Sequence, residues 1–263
     1  MRINNNITAI NSHRQYSINN GGIGKSVEKL SSGFRVNRAG DDAAGLAISE
    51  KMRTQIRGLN MASKNSQDGI SLVQTAEGAM QTAHNIMQRM RELAVQSRNG
   101  TNDNTVDRNA LDLEFTQLKQ ELVQIESTVK FNDMTVFGAS FTLQTGANAA
   151  DTTTFSIGNI GNVTNTINNE TNAAAAITAM TDEINKLSTS RATLGAIQNR
   201  LEFKIQNLDN SAENLQAAES RIRDVDMAKM MTEFTKNNIL FQASTAMLAQ
   251  ANTIPQGVLQ LLG

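Results

Sequence analysis

From Met180 to Ile222 every seventh residue is apolar: Met180, Leu187, Leu194, Leu201, Leu208, Leu215 and Ile222. With 39% of the chain hydrophobic, an unbroken series of that length should arise by chance only roughly once in a thousand tries. No proline interrupts the run. The companion positions are mixed, with Ile184, Ile197, Ile205, Ala212 and Ala218 alternating with Arg191, Lys204 and Glu219. Such a pattern predicts one continuous apolar seam laid against a partner helix. At 1.5 Å per residue the helix would be roughly 64 Å long, more than a compact domain is wide. Other helices must lie along it.

Those helices can be read on either side. Val73, Met80, Met87 and Ala94 repeat by sevens, with Ala76, Ala83 and Met90 as companions, which predicts a helix from Asp42 to about Gly100. Leu111, Phe115, Leu118, Leu122, Ile125 and Val129 follow in 4-3-4-3-4 spacing, and Asn99 to Asn104 makes the turn, so these two helices should be antiparallel neighbours. At the amino end Ile3, Ile7 and Ile10, then Ile23, Val27, Leu30 and Phe34, suggest two short helical pieces broken at Asn19, Asn20, Gly21 and Gly22. Gly33 sits at a helix C-cap and Asp41 or Asp42 at an N-cap, leaving Ser32 to Gly40 as a loop. At the carboxyl end Met227, Phe234, Phe241 and Leu248 recur by sevens, and Val258, Leu259 and Leu262 lie beyond Pro255.

Between Asp133 and Asp182 the composition changes. There is no Lys or Arg, and Gly, Asn, Thr and Ala dominate. Met134–Leu143 and Thr152–Ile160 are expected as short strands, with Gly138, Gly146 and Gly158 as turns. We expect an extended hairpin at the tip of a helical body. The fold class is therefore mainly α: long heptad-patterned helices in an elongated bundle, terminal helices suited to an inner coiled coil, and a small β-hairpin insert.

Composition removes several function classes. Lys plus Arg is 24 and Asp plus Glu 25, so no basic footprint for nucleic acid is present. There is no cysteine, which excludes disulfides and thiolate chemistry, and a single proline, Pro255. The start Met-Arg-Ile-Asn-Asn-Asn-Ile-Thr lacks the apolar core of a cleaved signal peptide. Asn237 to Gly263 carries no charge, but Asn, Gln and Pro interrupt it too often for a membrane span. Gly24-Lys25-Ser26 ends like a phosphate-binding loop, but Asn19 stands where the partner glycine belongs. His13 and His84 do not form a zinc pair, and Asp41-Asp42 fits helix capping better than metal binding. No cofactor is implied. Catalysis would have to be housed in the insert, which has no His or Cys and only two acids, Asp151 and Glu170.

Both ends thus carry apolar helical stripes that the central helices do not need. We expect Ile3, Ile7, Ile10, Val27, Leu30, Met227, Phe234, Phe241, Leu248, Leu259 and Leu262 to form a polymerisation seam. Short isolated helices are marginal in water, so both ends are expected to order on assembly. The alternating charges Arg221, Arg223, Asp224 and Asp226 are open to salt bridges within one subunit or to a neighbour.

Three blocks carry a family resemblance: Lys29 to Ile48 (KLSSGFRVNRAGDDAAGLAI), Gln88 to Gln96 (QRMRELAVQ) and Ala218 to Ala228 (AESRIRDVDMA). They resemble bacterial flagellin, over residues 1–133 and 182–263. The resemblance implies an extracellular filament subunit that is not an enzyme. It implies an inner tube built from 1–35 with 226–263, a helical rod from 36–133 with 182–225, and a short variable insert at 134–181 with no large outer domain. It further implies export through the flagellar secretion channel without signal cleavage. An export chaperone, a filament cap and hook-junction proteins follow as partners, with no nucleic acid and no membrane insertion. In flagellins recognised by an innate immune Toll-like receptor the contact is carried by residues matching Arg89, Leu93 and Glu114, the same surface that would touch a neighbouring subunit. A hook-to-filament junction protein is the near alternative, and the fit of all three blocks argues against it.

Overall fold

The computed structural model describes residues 6–103, 106–161 and 163–262, with side chains described as far as Thr253. In sequence order the elements are α1 (Ile7–Ser32), α2 (Ala43–Ser97), α3 (Asp107–Thr128), β1 (Lys130–Phe131), β2 (Met134–Thr135), β3 (Ser140–Gln144), β4 (Thr152–Ser156), α4 (Glu170–Arg223) and α5 (Met227–Leu262). They group into two compact units, Met1–Thr54 with Asn214–Gly263, and Gln55–Glu213.

The second unit holds the larger core. Val73, Ala76, Met80, Ala83, Met87, Met90 and Ala94 of α2 are all fully buried, as the seven-residue spacing requires. They face Met180, Leu187 and Leu194 of α4 and Phe115 and Leu122 of α3 in one apolar cluster. Each such large side chain stabilises the fold by roughly 1.5–3 kcal/mol. The α2–α3 turn is held by Arg108, which donates from Nε to the Ser97 carbonyl at 2.8 Å and from an η nitrogen to the Asn99 carbonyl at 3.1 Å. The contacts Arg108–Ser97 and Arg89–Glu114 run in opposite senses along the two helices, so α2 and α3 are antiparallel.

Helix α4 starts ten residues before the expected Met180. Asn169 caps it, accepting from the Asn172 amide at 2.7 Å, and Ala173 and Ala176 are buried in the first turns. Ala173 lies one heptad before Met180, so the seam extends backward on a residue whose small size hid it. Leu201 and Leu208 continue the buried row, while Leu215 and Ile222 are half-buried.

The insert contains the expected hairpin, which packs along the helical body. β3 and β4 pair antiparallel, Phe141 opposite Phe155, and lie beside α2. Asn65 Nδ2 donates to the Gln144 carbonyl at 3.2 Å, and a Cβ on Gly69 would stand 2.2 Å from Leu143 Cδ1, so that glycine is what lets the strand approach. From Ile157 the backbone runs as a strap over the core, burying Ile157, Ile160, Val163 and Ile167. Ser97 Oγ donates to the Ile167 carbonyl, and the Ile167 amide donates to Asp112 Oδ1 at 2.7 Å, tying the strap to α2 and α3. Gly138 turns with φ 71° and Gly146 lies in the bend between β3 and β4, both as expected; Gly158 follows β4 in irregular backbone, and Gly161 has φ 117°. A separate short hairpin, β1–β2, turns through Asn132 and Asp133, both with positive φ.

The expected break at Gly21–Gly22 does not occur, since α1 is one helix from Ile7 to Ser32. Tertiary contact overrides the weak local propensity: a Cβ on Gly22 would stand 3.1 Å from Asn237 Nδ2, so glycine there admits the α5 side chain. Gly33 ends α1 with φ 73° and donates to the Lys29 carbonyl, and Asp42 Oδ1 accepts from the Gly45 amide at 2.8 Å to start α2.

Candidate assembly interface

Within the first unit α1 and α5 lie antiparallel. On α1 the half-buried or buried positions include Ala9, Ser12, Tyr16, Asn19, Ile23, Ser26 and Leu30, a row in 3-4 alternation, with Gly22, Glu28, Lys29 and Ser32 half-buried beside it. On α5 they include Met230, Phe234, Asn237, Phe241, Ser244, Leu248 and Ala251, in 4-3 alternation, with Asn238 half-buried beside Asn237. This is knobs-into-holes spacing, but each helix contributes one apolar row and one largely polar row. Tyr16 packs on Phe241 with ring centroids 4.8 Å apart. Asn19 Nδ2 donates to Ser244 Oγ at 2.9 Å, and Asn6 Nδ2 donates to the Ala251 carbonyl at 2.7 Å. The polar matches exist in one register only, whereas apolar rows alone would tolerate a slip of one heptad.

The residues expected to form one polymerisation seam therefore fall into two groups. Leu30, Phe234, Phe241 and Leu248 turn inward to the α1–α5 pair. Ile7, Ile10, Val27 and Met227 are exposed, Ile7 by 60% and Ile10 by 57%. Ile3 lies outside the described residues, as do the side chains of Leu259 and Leu262. Tyr16, Ile23, Asn19, Asn237 and Ser244 belong to the inner seam and were missed, because the Ser and Asn row conceals the heptad. Ile18, Ile239 and Met247 add to the exposed group at 58%, 61% and 63%.

Where α1 meets α2 and α4 meets α5, the two connections cross. Phe34 and Asp224 form an antiparallel bridge, the Arg35 amide donates to the Arg223 carbonyl, and the Val225 amide donates to the Gly33 carbonyl. The Arg223 guanidinium sits 4.8 Å from the centre of the Phe34 ring and pairs with Glu50 at 2.5 Å. That hydrogen bond, ahead of the charges of Arg53 and Arg223, holds the Glu50 carboxyl below its ordinary range. Asp41 is likewise lowered, first by the Arg38 amide and then by that of Asn37. Of the alternating charges, Arg223 is thus bonded within the subunit, and Asp226 Oδ1 caps α5 through the Lys229 amide.

Arg89 and Glu114 meet on the surface at 2.9 Å, with side chains 50% and 46% exposed, and Glu92 joins them at 3.3 Å. These hydrogen bonds, Glu114 first, raise the Arg89 pKa above its ordinary value. Leu93 does not join that surface. It is fully buried, because α2 turns it into the core beside Met90 and Ala94. Among the described residues no group of His, Cys, Asp or Glu side chains is placed to hold a metal ion, and no helix is long and apolar enough to cross a membrane.

Two family models match this sequence: the bacterial flagellin N-terminal helical region over residues 3–142 and the C-terminal helical region over 177–262. Flagellin of Halalkalibacterium halodurans is 57% identical, with 100% of both proteins covered. Flagellin of Bacillus subtilis is 50% identical over 100% of both. The flagellar filament 31.3 kDa core protein of Treponema maltophilum is 46% identical, again over 100% of both. The crystal structure of Bacillus cereus flagellin superposes with a TM-score of 0.51 at 32% identity, covering 59% of this protein and 94% of that one. The chain belongs to the bacterial flagellin family, a family of structural proteins and not of enzymes.

Proposed function

We propose that this protein is the subunit of an extracellular flagellar filament, polymerising by helix packing repeated along open symmetry so that heterologous contacts propagate instead of closing. The observation that carries the reading is the set of large apolar residues left exposed on α1 and α5 outside their shared seam: Ile7, Ile10, Ile18, Ile239 and Met247. Neighbouring copies would cover them. In this reading residues 1–35 with 226–263 build the inner tube, 36–133 with 182–225 surround it, and the short insert leaves little outer domain. The seam inside the subunit is half polar, which supports terminal helices that pair weakly in the free subunit and firmly once copies enclose them. Export through the flagellar channel, an export chaperone on α5, a cap at the growing tip and junction proteins at the hook complete the proposal. Seeded polymerisation tests it. The wild-type protein should elongate seeds, and a variant truncated after Thr235 should remain a soluble monomer; filaments from the truncated variant would sink the reading.

A second reading rests on the exposed Arg89–Glu114 pair: that this surface engages both a neighbouring subunit and an innate immune Toll-like receptor. Leu93 would act there by holding the helix from beneath. Arg89→Ala and Glu114→Ala should each lower receptor-reporter activation at unchanged helix content, and unaltered activation by both would refute it.

A further inference from the structure

The sequence has two Asn-Gly steps, Asn20-Gly21 and Asn99-Gly100, and the fold places them in opposite circumstances. Asn20 and Gly21 lie inside α1, where helical backbone keeps each amide turned along the axis and bonded to the preceding turn. Asn99 and Gly100 lie beyond the end of α2 in the turn to α3, and both are exposed. A Cβ built on Gly100 meets nothing within 4 Å, and among the described residues no acceptor takes its amide hydrogen. Asn99 Oδ1 accepts from the Thr101 amide at 3.4 Å, which polarises the carbon that a nucleophile would attack. The Asn99 backbone carbonyl is held in place by Arg108 and by the Asn102 amide, so the turn keeps its shape while the Gly100 amide stays free.

We infer that Asn99 is a site of spontaneous deamidation in the folded protein. The Gly100 nitrogen attacks Asn99 Cγ and gives its proton to solvent; the bond from Cγ to Nδ2 breaks and ammonia leaves, closing a five-membered succinimide. Water then adds to either succinimide carbonyl and opens the ring to aspartate or isoaspartate. Glycine favours the step because it has no Cβ to obstruct the approach and its backbone reaches conformations closed to other residues. The product adds a carboxylate at the residue whose backbone carbonyl Arg108 holds, and the isoaspartate form lengthens the backbone at that point. The turn between α2 and α3 therefore changes covalently with the age of the molecule.

The test is peptide mapping of the purified full-length protein held in mildly alkaline buffer, native and in urea, with fragmentation that separates aspartate from isoaspartate. Native Asn99 should convert within about threefold of its rate in urea, because no local opening precedes the attack. Both products should form, and Gly100→Ala should slow the reaction at unchanged helix content. Suppression of native Asn99 by about tenfold or more, as expected for an amide that must first be released, would overturn the inference. So would formation of aspartate alone, which would signify direct hydrolysis.

Discussion

At the scale of single residues, burial decides which positions the fold depends on. Ile157 is 1% exposed on a strap with no regular structure of its own, so Ile157→Ala should lower unfolding free energy by roughly 2–5 kcal/mol in urea titration. A loss under half a kilocalorie would mean that the strap merely rests on the helices. Its spacing points elsewhere, because Ile157, Ile160, Val163 and Ile167 stand 3, 3 and 4 apart, as on a helix face, whereas the described strap residues form no helix. Leu93 gives the opposite lesson. The family resemblance places it on a contact surface beside Arg89, whereas its spacing of seven from Ile86 and three from Met90 on α2 already permitted the core position it takes. Charge adds a pH dependence. Asp41 and Glu50 titrate lower in the folded protein than their ordinary values of 3.8 and 4.5. Their contribution is thus complete above those values and drains away as pH falls through the lower folded ones. Glu50→Gln should reduce melting temperature slightly at neutral pH, the pair being half-exposed, and the difference should vanish in acid. An equal difference at both pH values would remove Glu50 from the account.

At the scale of elements, the seven-residue rows of α2 and α4 are legible because each station is apolar and all but Leu215 and Ile222 are buried. The α1–α5 pair is not, because Ser12, Asn19 and Ser26 alternate with its apolar row and the exposed isoleucines offer a rival pattern. Glycine misleads in the same place: Gly22 reads as a break in α1, whereas it opens a notch for Asn237. Gly22→Val should therefore weaken the pair by roughly 1–3 kcal/mol through crowding, although valine in place of glycine would favour an isolated helix. Tyr16 is the protein's one tyrosine, and there is no tryptophan, so its near-ultraviolet signal against Phe241 reports the pair directly. If the valine variant kept that signal to a higher temperature than wild type, the notch would have no structural role.

At the scale of the whole molecule, the proposal divides labour between two sets of apolar residues on the same helices. Tyr16, Ile23, Phe234, Phe241 and Leu248 hold α1 to α5 inside one subunit; Ile7, Ile10, Ile18, Ile239 and Met247 remain for other subunits. Phe241→Asp should disrupt both the pair and polymerisation, since it places an unpartnered charge in the seam. A substitution on the outer set separates the two functions. The decisive measurement is seeded polymerisation of Ile239→Asp, followed by light scattering and electron microscopy, with helix content and the Tyr16 signal recorded on the same sample. The account predicts a subunit with wild-type helix content and Tyr16 signal that does not elongate seeds. Filaments growing at the wild-type rate from that variant would contradict it.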